Sequence, residues 1–142
     1  MSYNKQARQE ANLLGKQYEQ VARDLLGSMG HSVELMPYGH PYDLLVGNVV
    51  KIDIKAATRR DVGYRYHLGK KQASCDAYIL FALDGCNIKA YYVPAHILNG
   101  TVDITIGQHT SKLDPYLGDI NLIDRIYYGY ACAALDMHMA IA

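Results

Sequence analysis

Residues 42–56 read YDLLVGNVVKIDIKA, and the fold turns on how the two halves of this stretch pair. Tyr42 to Val46 and Val49 to Ala56 have the β-branched, alternating character of strands, and Gly47-Asn48 between them is a hairpin signal. A two-residue loop would set Leu44 against Lys51 and put Asp43 and Asp53 on opposite faces. A three-residue connection, or a bulge, sets Leu44 against Ile52 and Val46 against Val50. All the apolar side chains then share one face, and Asp43 lies opposite Asp53. Register follows the need to keep one face apolar, and three-residue loops with Gly or Asn in the left-handed region are common. The second register is therefore expected, with the two acids' Cα atoms about 4.5–5.5 Å apart.

That register concentrates chemistry. Asp53 and Lys55 are two residues apart and leave the same face of their strand, while Ile52 and Ile54 leave the other. Two carboxylates this close repel unless a proton or cation lies between them. A hard divalent ion, Mg²⁺ or Mn²⁺, suits such oxygens, and Lys55 on the same face can position an attacking water or help deprotonate it. The plainer reading is a surface ladder of ion pairs across a hairpin.

Outward from this hairpin, residues 4 to 28 carry Ala7, Ala11, Leu14, Tyr18, Val21, Ala22 and Leu25 at helical spacing, ended by Gly27 and Gly30. Gly15 interrupts the pattern and marks either close packing or a break between two helices. Glu19 falls at the edge of the apolar stripe, from where a carboxylate can reach across a sheet edge; pairing with Arg23 at i+4 is the alternative. Residues 31 to 36 alternate as a strand, and 37 to 41 form a turn. Ala77 to Leu83 is a continuous apolar run suited to a buried strand, and Asn87 to Val93 is the next strand. Pro94 to Leu98 suits a short helix, and Val102 to Ile106 alternates again. The predicted class is α/β (α+β), with a mixed central sheet flanked by helices.

This order of parts resembles the PD-(D/E)XK nuclease superfamily. The residues that carry the resemblance are Gly15-Lys16-Gln17-Tyr18-Glu19 on the helix, Pro41-Tyr42-Asp43-Leu44-Leu45 on one strand and Asp53-Ile54-Lys55 on the next, within residues 15 to 56. Asp76 before an apolar strand, Tyr64-Arg65-Tyr66 and Tyr91-Tyr92-Val93-Pro94 are similar to the intron-encoded homing endonuclease branch. The GxxxE helix and small size are similar to the Holliday junction resolvases. Two departures are that Pro41 stands two residues before Asp43, and that Asp53 takes a place where Glu is commoner. The resemblance implies a restriction-endonuclease-like core and a Mg²⁺-dependent endodeoxyribonuclease that Mn²⁺ also serves. Asp43 and Asp53 would hold the metal with the backbone carbonyl of Ile54, and Glu19 is a further candidate ligand and catalytic residue. Lys55 would orient the water, and the products would carry 5′-phosphates.

Charge points the same way. The chain has 142 residues and a formal net charge of zero, which excludes both a disordered acidic chain and a wholly basic protein. Residues 51 to 71 nevertheless hold seven Lys and Arg against two Asp, a local +5 balanced by −5 elsewhere. Arg59, Arg60, Tyr64, Arg65, Lys70 and Lys71 are the expected nucleic-acid contacts; a solvated loop is the plainer reading. The partner expected is double-stranded or branched DNA. A site-specific homing or restriction-type enzyme leads, ahead of a junction resolvase, a non-catalytic nucleic-acid binding module on the same fold, and a structural oligomer subunit.

No linker or repeat interrupts the chain, so residues 1–142 read as one domain, long enough to bury a core unaided. Cys75, Cys86 and Cys132 are an odd number without metal spacing, expected to pack as small apolar groups in a reducing compartment. The six His residues show no metal spacing; His40 and His67 alone fall near the site. No signal peptide and no membrane span is legible, and a cytoplasmic location is expected. Residues 126 to 142 carry a single formal charge, Asp136. Residues 122–142 are therefore expected to be an oligomerisation tail of a homodimer or homotetramer, through Tyr127, Tyr128 and Tyr130.

Overall fold

The computed structural model describes residues 2–61, 63–69, 73–107 and 112–141. A long first helix, α1 (Ser2–Ser28), leads into β1 (Val33–Leu35), β2 (Leu44–Val46) and β3 (Val50–Thr58). After these come β4 (Tyr64–His67), β5 (Ala77–Asp84), β6 (Asn87–Pro94), a 3₁₀ turn at Ala95–Leu98, β7 (Asp103–Ile106) and a second helix, α2 (Asn121–Ile141). Five strands form a central sheet in the order β1-β2-β3-β5-β6, and β4 pairs with β7 in a separate ribbon. All neighbours are antiparallel except β3 and β5, which run parallel. This is the mixed α/β architecture expected.

The hairpin takes the register that keeps one face apolar. Leu44 pairs with Ile52, Leu45 with Lys51 and Val46 with Val50, around a three-residue connection in which Gly47 and Asn48 have φ of 58° and 64°. Leu44, Val46, Val50, Ile52 and Ile54 are buried together with Tyr18, Ala22 and Leu26 of α1. Each of the larger of these side chains contributes about 1.5–3 kcal/mol by leaving water. Gly47 lies under the first turns of α2: a Cβ there would stand 2.4 Å from Cε2 of Tyr127. The left-handed backbone and that contact both call for glycine.

Gly15 neither breaks α1 nor packs closely, since a Cβ there would meet nothing within 4 Å. Its absent side chain is one turn from Glu19, on an open edge of the helix. The buried stripe is narrower than the sequence pattern, running through Tyr18, Ala22 and Leu26, while Val21 and Leu25 are 40% and 38% exposed.

The other sheet face carries a second core. Tyr78, Leu80 and Ala82 of β5 pack there with Tyr64 and Tyr66 of the ribbon, Ile106 and Leu98. Part of the basic segment is thus a strand whose tyrosines point inward, and the Tyr66 hydroxyl donates to the Phe81 carbonyl at 2.8 Å. The apolar tail is helix α2. Its first turn is anchored by buried Leu122 and Ile123 and by a hydrogen bond between His31 and Asp124, whereas residues 128–139 are exposed. Among the described residues, no helix is long and apolar enough to cross a membrane. Cys86 and Cys132 are exposed rather than packed, because one occupies the β5–β6 turn and the other the projecting half of α2.

Candidate active site

The site forms where β2 stops. The sequence pattern extends this strand to Tyr42, but the regular ladder ends at Leu44, and residues 41–43 bend away. Asp43 causes the break. Its N–H donates to the Ile52 carbonyl at 2.9 Å and its own carbonyl accepts the Met36 N–H at 2.9 Å. Its side-chain Oδ2 accepts the Ile54 N–H at 2.7 Å. A carboxylate therefore takes the ladder position that a strand carbonyl would fill, and the edge of β3 beyond Ile52 is left open on that side.

Asp53 and Lys55 occupy the face away from α1, as the alternation of β3 dictates. Their parallel partners on β5 are Tyr78 and Leu80. The Lys55 ammonium lies 3.4 Å from Oδ2 of Asp53, and both side chains are mostly buried. Burial raises the Asp53 carboxyl to about 7; Lys55 opposes the shift, and Asp43, which shares a hydrogen bond with it, reinforces it. Glu19 reaches Asp43 from α1 through the open edge. Its carboxyl is also raised to about 7, by burial first, then by the charge of Asp43 and a hydrogen bond with it. A hydrogen bond between two carboxyl groups needs a proton on one of them. Asp53 and Glu19 thus both keep their protons to higher pH than a free carboxyl, each beside Asp43.

This is the set the sequence singled out: Asp43, Asp53 and Lys55 border one cleft of about 400 Å³, with Glu19 behind Asp43. Other residues that line it, Cys75, Tyr78 and His40 among them, were not assigned to it. Cys75 and Tyr78 enter because the start of β5 lies beside the middle of β3. The Cys75 thiol is pushed up to about 12, by burial first and then by the charge of Asp53, so it stays protonated. His40 also lines the cleft, its ring edge-on to Tyr42 at 4.3 Å. Asp76, by contrast, holds structure together: it accepts the Lys51 N–H at 2.9 Å and the Tyr130 hydroxyl at 2.7 Å.

The donor set fits a hard divalent cation. Closely packed carboxylate oxygens with their protons held to about neutral pH are a site that a cation relieves. Among the described residues, no three His, Cys, Asp or Glu side chains are disposed around one ion. Two carboxylates, a backbone carbonyl and waters are then the complement available, which suits Mg²⁺, an ion that keeps several waters.

The expected nucleic-acid residues separate. Arg59 and Arg60 are exposed past the end of β3, about 13 Å of strand beyond Lys55; Arg59 faces Asp84 at 3.8 Å. Arg65 is exposed on β4. Tyr64 is 7% exposed and packed in the second core, which leaves its ring no face for a base. Lys70 and Lys71 lie outside the described residues.

No family model matches this chain, and no curated protein matches it. Among solved structures, the fold is similar to that of a bacterial homing endonuclease, I-Ssp6803I, with a TM-score of 0.67 over 85% of this chain and 96% of that one, at 17% identity. The chain therefore shares the fold of an endonuclease.

Proposed function

We propose that the protein is a divalent-metal-dependent DNA endonuclease of the PD-(D/E)XK type, cutting phosphodiester bonds at specific sites. The observation that carries the reading is the convergence of Asp43, Asp53 and Lys55 on one cleft within a fold shared with a homing endonuclease. Asp43 and Asp53, with the Ile54 carbonyl, would hold Mg²⁺, or Mn²⁺ in its place. When bound, the ion supplies positive charge to the scissile phosphate and lowers the pKa of the attacking water. The chain's own groups do the rest. The Ile54 N–H fixes the Asp43 carboxylate, and Glu19 braces it from the helix side. Lys55, held by Asp53, orients the water and offsets charge developing on the phosphate. Arg59, Arg60, Lys70 and Lys71 supply phosphate contacts along the approach.

Incubation with supercoiled plasmid and with a synthetic four-way junction, in Mg²⁺, Mn²⁺ or EDTA, tests this. Cleavage of duplex in either metal, abolished by EDTA and leaving 5′-phosphate ends, is expected. Cleavage confined to the junction would favour a resolvase, and binding to DNA without cleavage would favour the non-catalytic module.

The assembly belongs to the same proposal. Among the described residues Asp43, Asp53 and Lys55 make one such site, and a double-strand cut needs two sites or one acting twice. The projecting half of α2 presents Tyr128, Leu135 and Met139, all more than half exposed and on one side of the helix by their spacing, an apolar face that water disfavours. A twofold dimer, or a dimer of dimers, joined along α2 accounts for it. Sedimentation at micromolar concentration is expected to give at least a dimer, and Leu135→Lys with Met139→Lys to give monomer. A wild-type monomer would refute this assembly.

A further inference from the structure

Of the surfaces that the proposed reaction leaves unused, the β4–β7 ribbon is the most specifically built. Its strands alternate in register. Tyr64, Tyr66 and Ile106 are buried in the second core, while Arg65, His67, Asp103 and Thr105 are exposed. The pairing sets Arg65 opposite Thr105 and His67 opposite Asp103. One face of the ribbon is thus fixed to the sheet, and the other is a row of hydrogen-bonding side chains. That row is ordered. His67 Nδ1 lies 2.8 Å from Asp103 Oδ1, which turns Nε2 outward. Arg65 makes no ion pair among the described residues, unlike Arg59, Arg23 and Arg125.

We infer that this ribbon enters the major groove of double-stranded DNA, where Arg65 reads a guanine and His67 the neighbourhood two base pairs away. The inference rests on the endonuclease reading of the cleft and names how that site selects its substrate. Dimensions favour the major groove. It is about 12 Å wide and admits a two-stranded ribbon, whereas the minor groove is about 6 Å wide and does not. Alternate residues on a strand are about 6.8 Å apart, which matches two base-pair steps of about 3.4 Å. A-form RNA buries its major groove too deeply for side chains to read, so the ribbon selects duplex DNA over RNA. Position supports the same conclusion. Leu68, directly after β4, lines the cleft that holds Asp43, Asp53 and Lys55. Arg65 therefore stands about 10 Å of strand from the cleft at Leu68, within the segment of net +5. A guanidinium donating two hydrogen bonds to guanine O6 and N7 is the commonest specific base contact; an exposed Arg65 with no ion pair among the described residues suits it.

Selection of bound duplexes from a randomised pool, in Ca²⁺ to hold back cleavage, combined with dimethyl sulfate interference, tests this. The reagent methylates guanine N7 in the major groove and adenine N3 in the minor groove. The wild-type protein is expected to show guanine N7 interference within about four base pairs of the cut. In Arg65→Ala that interference disappears and preference for the guanine falls at least tenfold. His67→Ala alters preference two base pairs away and leaves the guanine in place. Interference at adenine N3 alone overturns the inference. So does an Arg65→Ala variant that binds every sequence more weakly with an unchanged preference and a shallower salt dependence, the mark of a phosphate contact. In both cases wild-type cleavage in Mg²⁺ survives, and the endonuclease reading with it. A wild-type protein that neither binds nor cuts DNA overturns both.

Discussion

Lys55→Ala is expected to lower single-turnover cleavage of duplex DNA in Mg²⁺ by about 10²–10⁴-fold while leaving binding in Ca²⁺ near the wild-type level. The ammonium sits 3.4 Å from Asp53 and is about one-third exposed, so its removal takes a cation from the Asp53 carboxylate and leaves the backbone hydrogen bonds of β3 in place. The loss falls on the chemical step, where a charge aimed at the reacting phosphate matters most. Asp53→Ala and Asp43→Ala are expected to abolish cleavage as well, but for separable reasons. Asp53→Ala removes a buried carboxylate that the fold holds at a cost. Asp43→Ala also strands the Ile54 N–H, which its carboxylate accepts at 2.7 Å, and an unpaired buried donor costs about 1–3 kcal/mol. Asp43→Ala should therefore lose stability along with activity, and Lys55→Ala chiefly activity. Combining the substitutions should add little, because the groups act as a unit. Wild-type-like cleavage by any of the three would remove that residue from the site.

The second large effect is on stability. Burial, reinforced by Asp43, raises Asp53 and Glu19 from 3.8 and 4.5 to about 7. Between about pH 4 and pH 7 the folded protein consequently holds more protons than the unfolded chain. Stability is then fully present below about pH 4 and is lost as pH rises through about 7. Metal-free protein should melt lower at pH 8 than at pH 5 as far as these groups decide it. Asp53→Asn keeps the shape and deletes the charge, and should raise the melting temperature at pH 8 by about 2–8 °C while abolishing cleavage. Millimolar Mg²⁺ should raise the wild-type melting temperature at pH 8, because a cation that binds only the folded state stabilises it, and should leave Asp53→Asn unmoved. Thermal melts at the two pH values, with and without Mg²⁺, check both signs. A metal-free Asp53→Asn protein less stable than wild type at pH 8 would contradict the crowding of charge at this cleft.

The hairpin was legible because its apolar residues leave one consistent register, so Asp43 and Asp53 could be brought together without coordinates. The exact means was not. The sequence pattern runs straight through Asp43, and nothing in it shows that this side chain replaces a strand carbonyl and ends β2. Glu19 was legible as an edge residue of α1, because helix geometry fixes its angle relative to the buried stripe. Cys75 and Tyr78 were not, because they enter the cleft through the parallel pairing of β3 with β5. A parallel pair needs a long crossover, and here that crossover carries a strand instead of the usual helix, so no periodicity announces it. Tyr64 misled for a related reason. In a basic segment a tyrosine suits a base as well as a core, and only the pairing of β4 with β7 turns its ring inward. The tail showed its apolar content plainly, but which turns of α2 are anchored depends on Gly47 and His31, more than 70 residues earlier in the chain.

On the proposed function, the cleft bordered by Asp43, Asp53 and Lys55 cuts DNA with the help of a divalent cation. The most direct test is single-turnover cleavage of a plasmid pool carrying random inserts, run side by side with wild-type protein and Lys55→Ala in Mg²⁺, and with wild-type protein in EDTA, with the ends sequenced. Cuts bearing 5′-phosphates at recurrent sequences, made only by the wild-type protein with metal, are the predicted result. Equal cutting by Lys55→Ala or in EDTA, or no cutting by a wild-type protein that binds the pool, would contradict it.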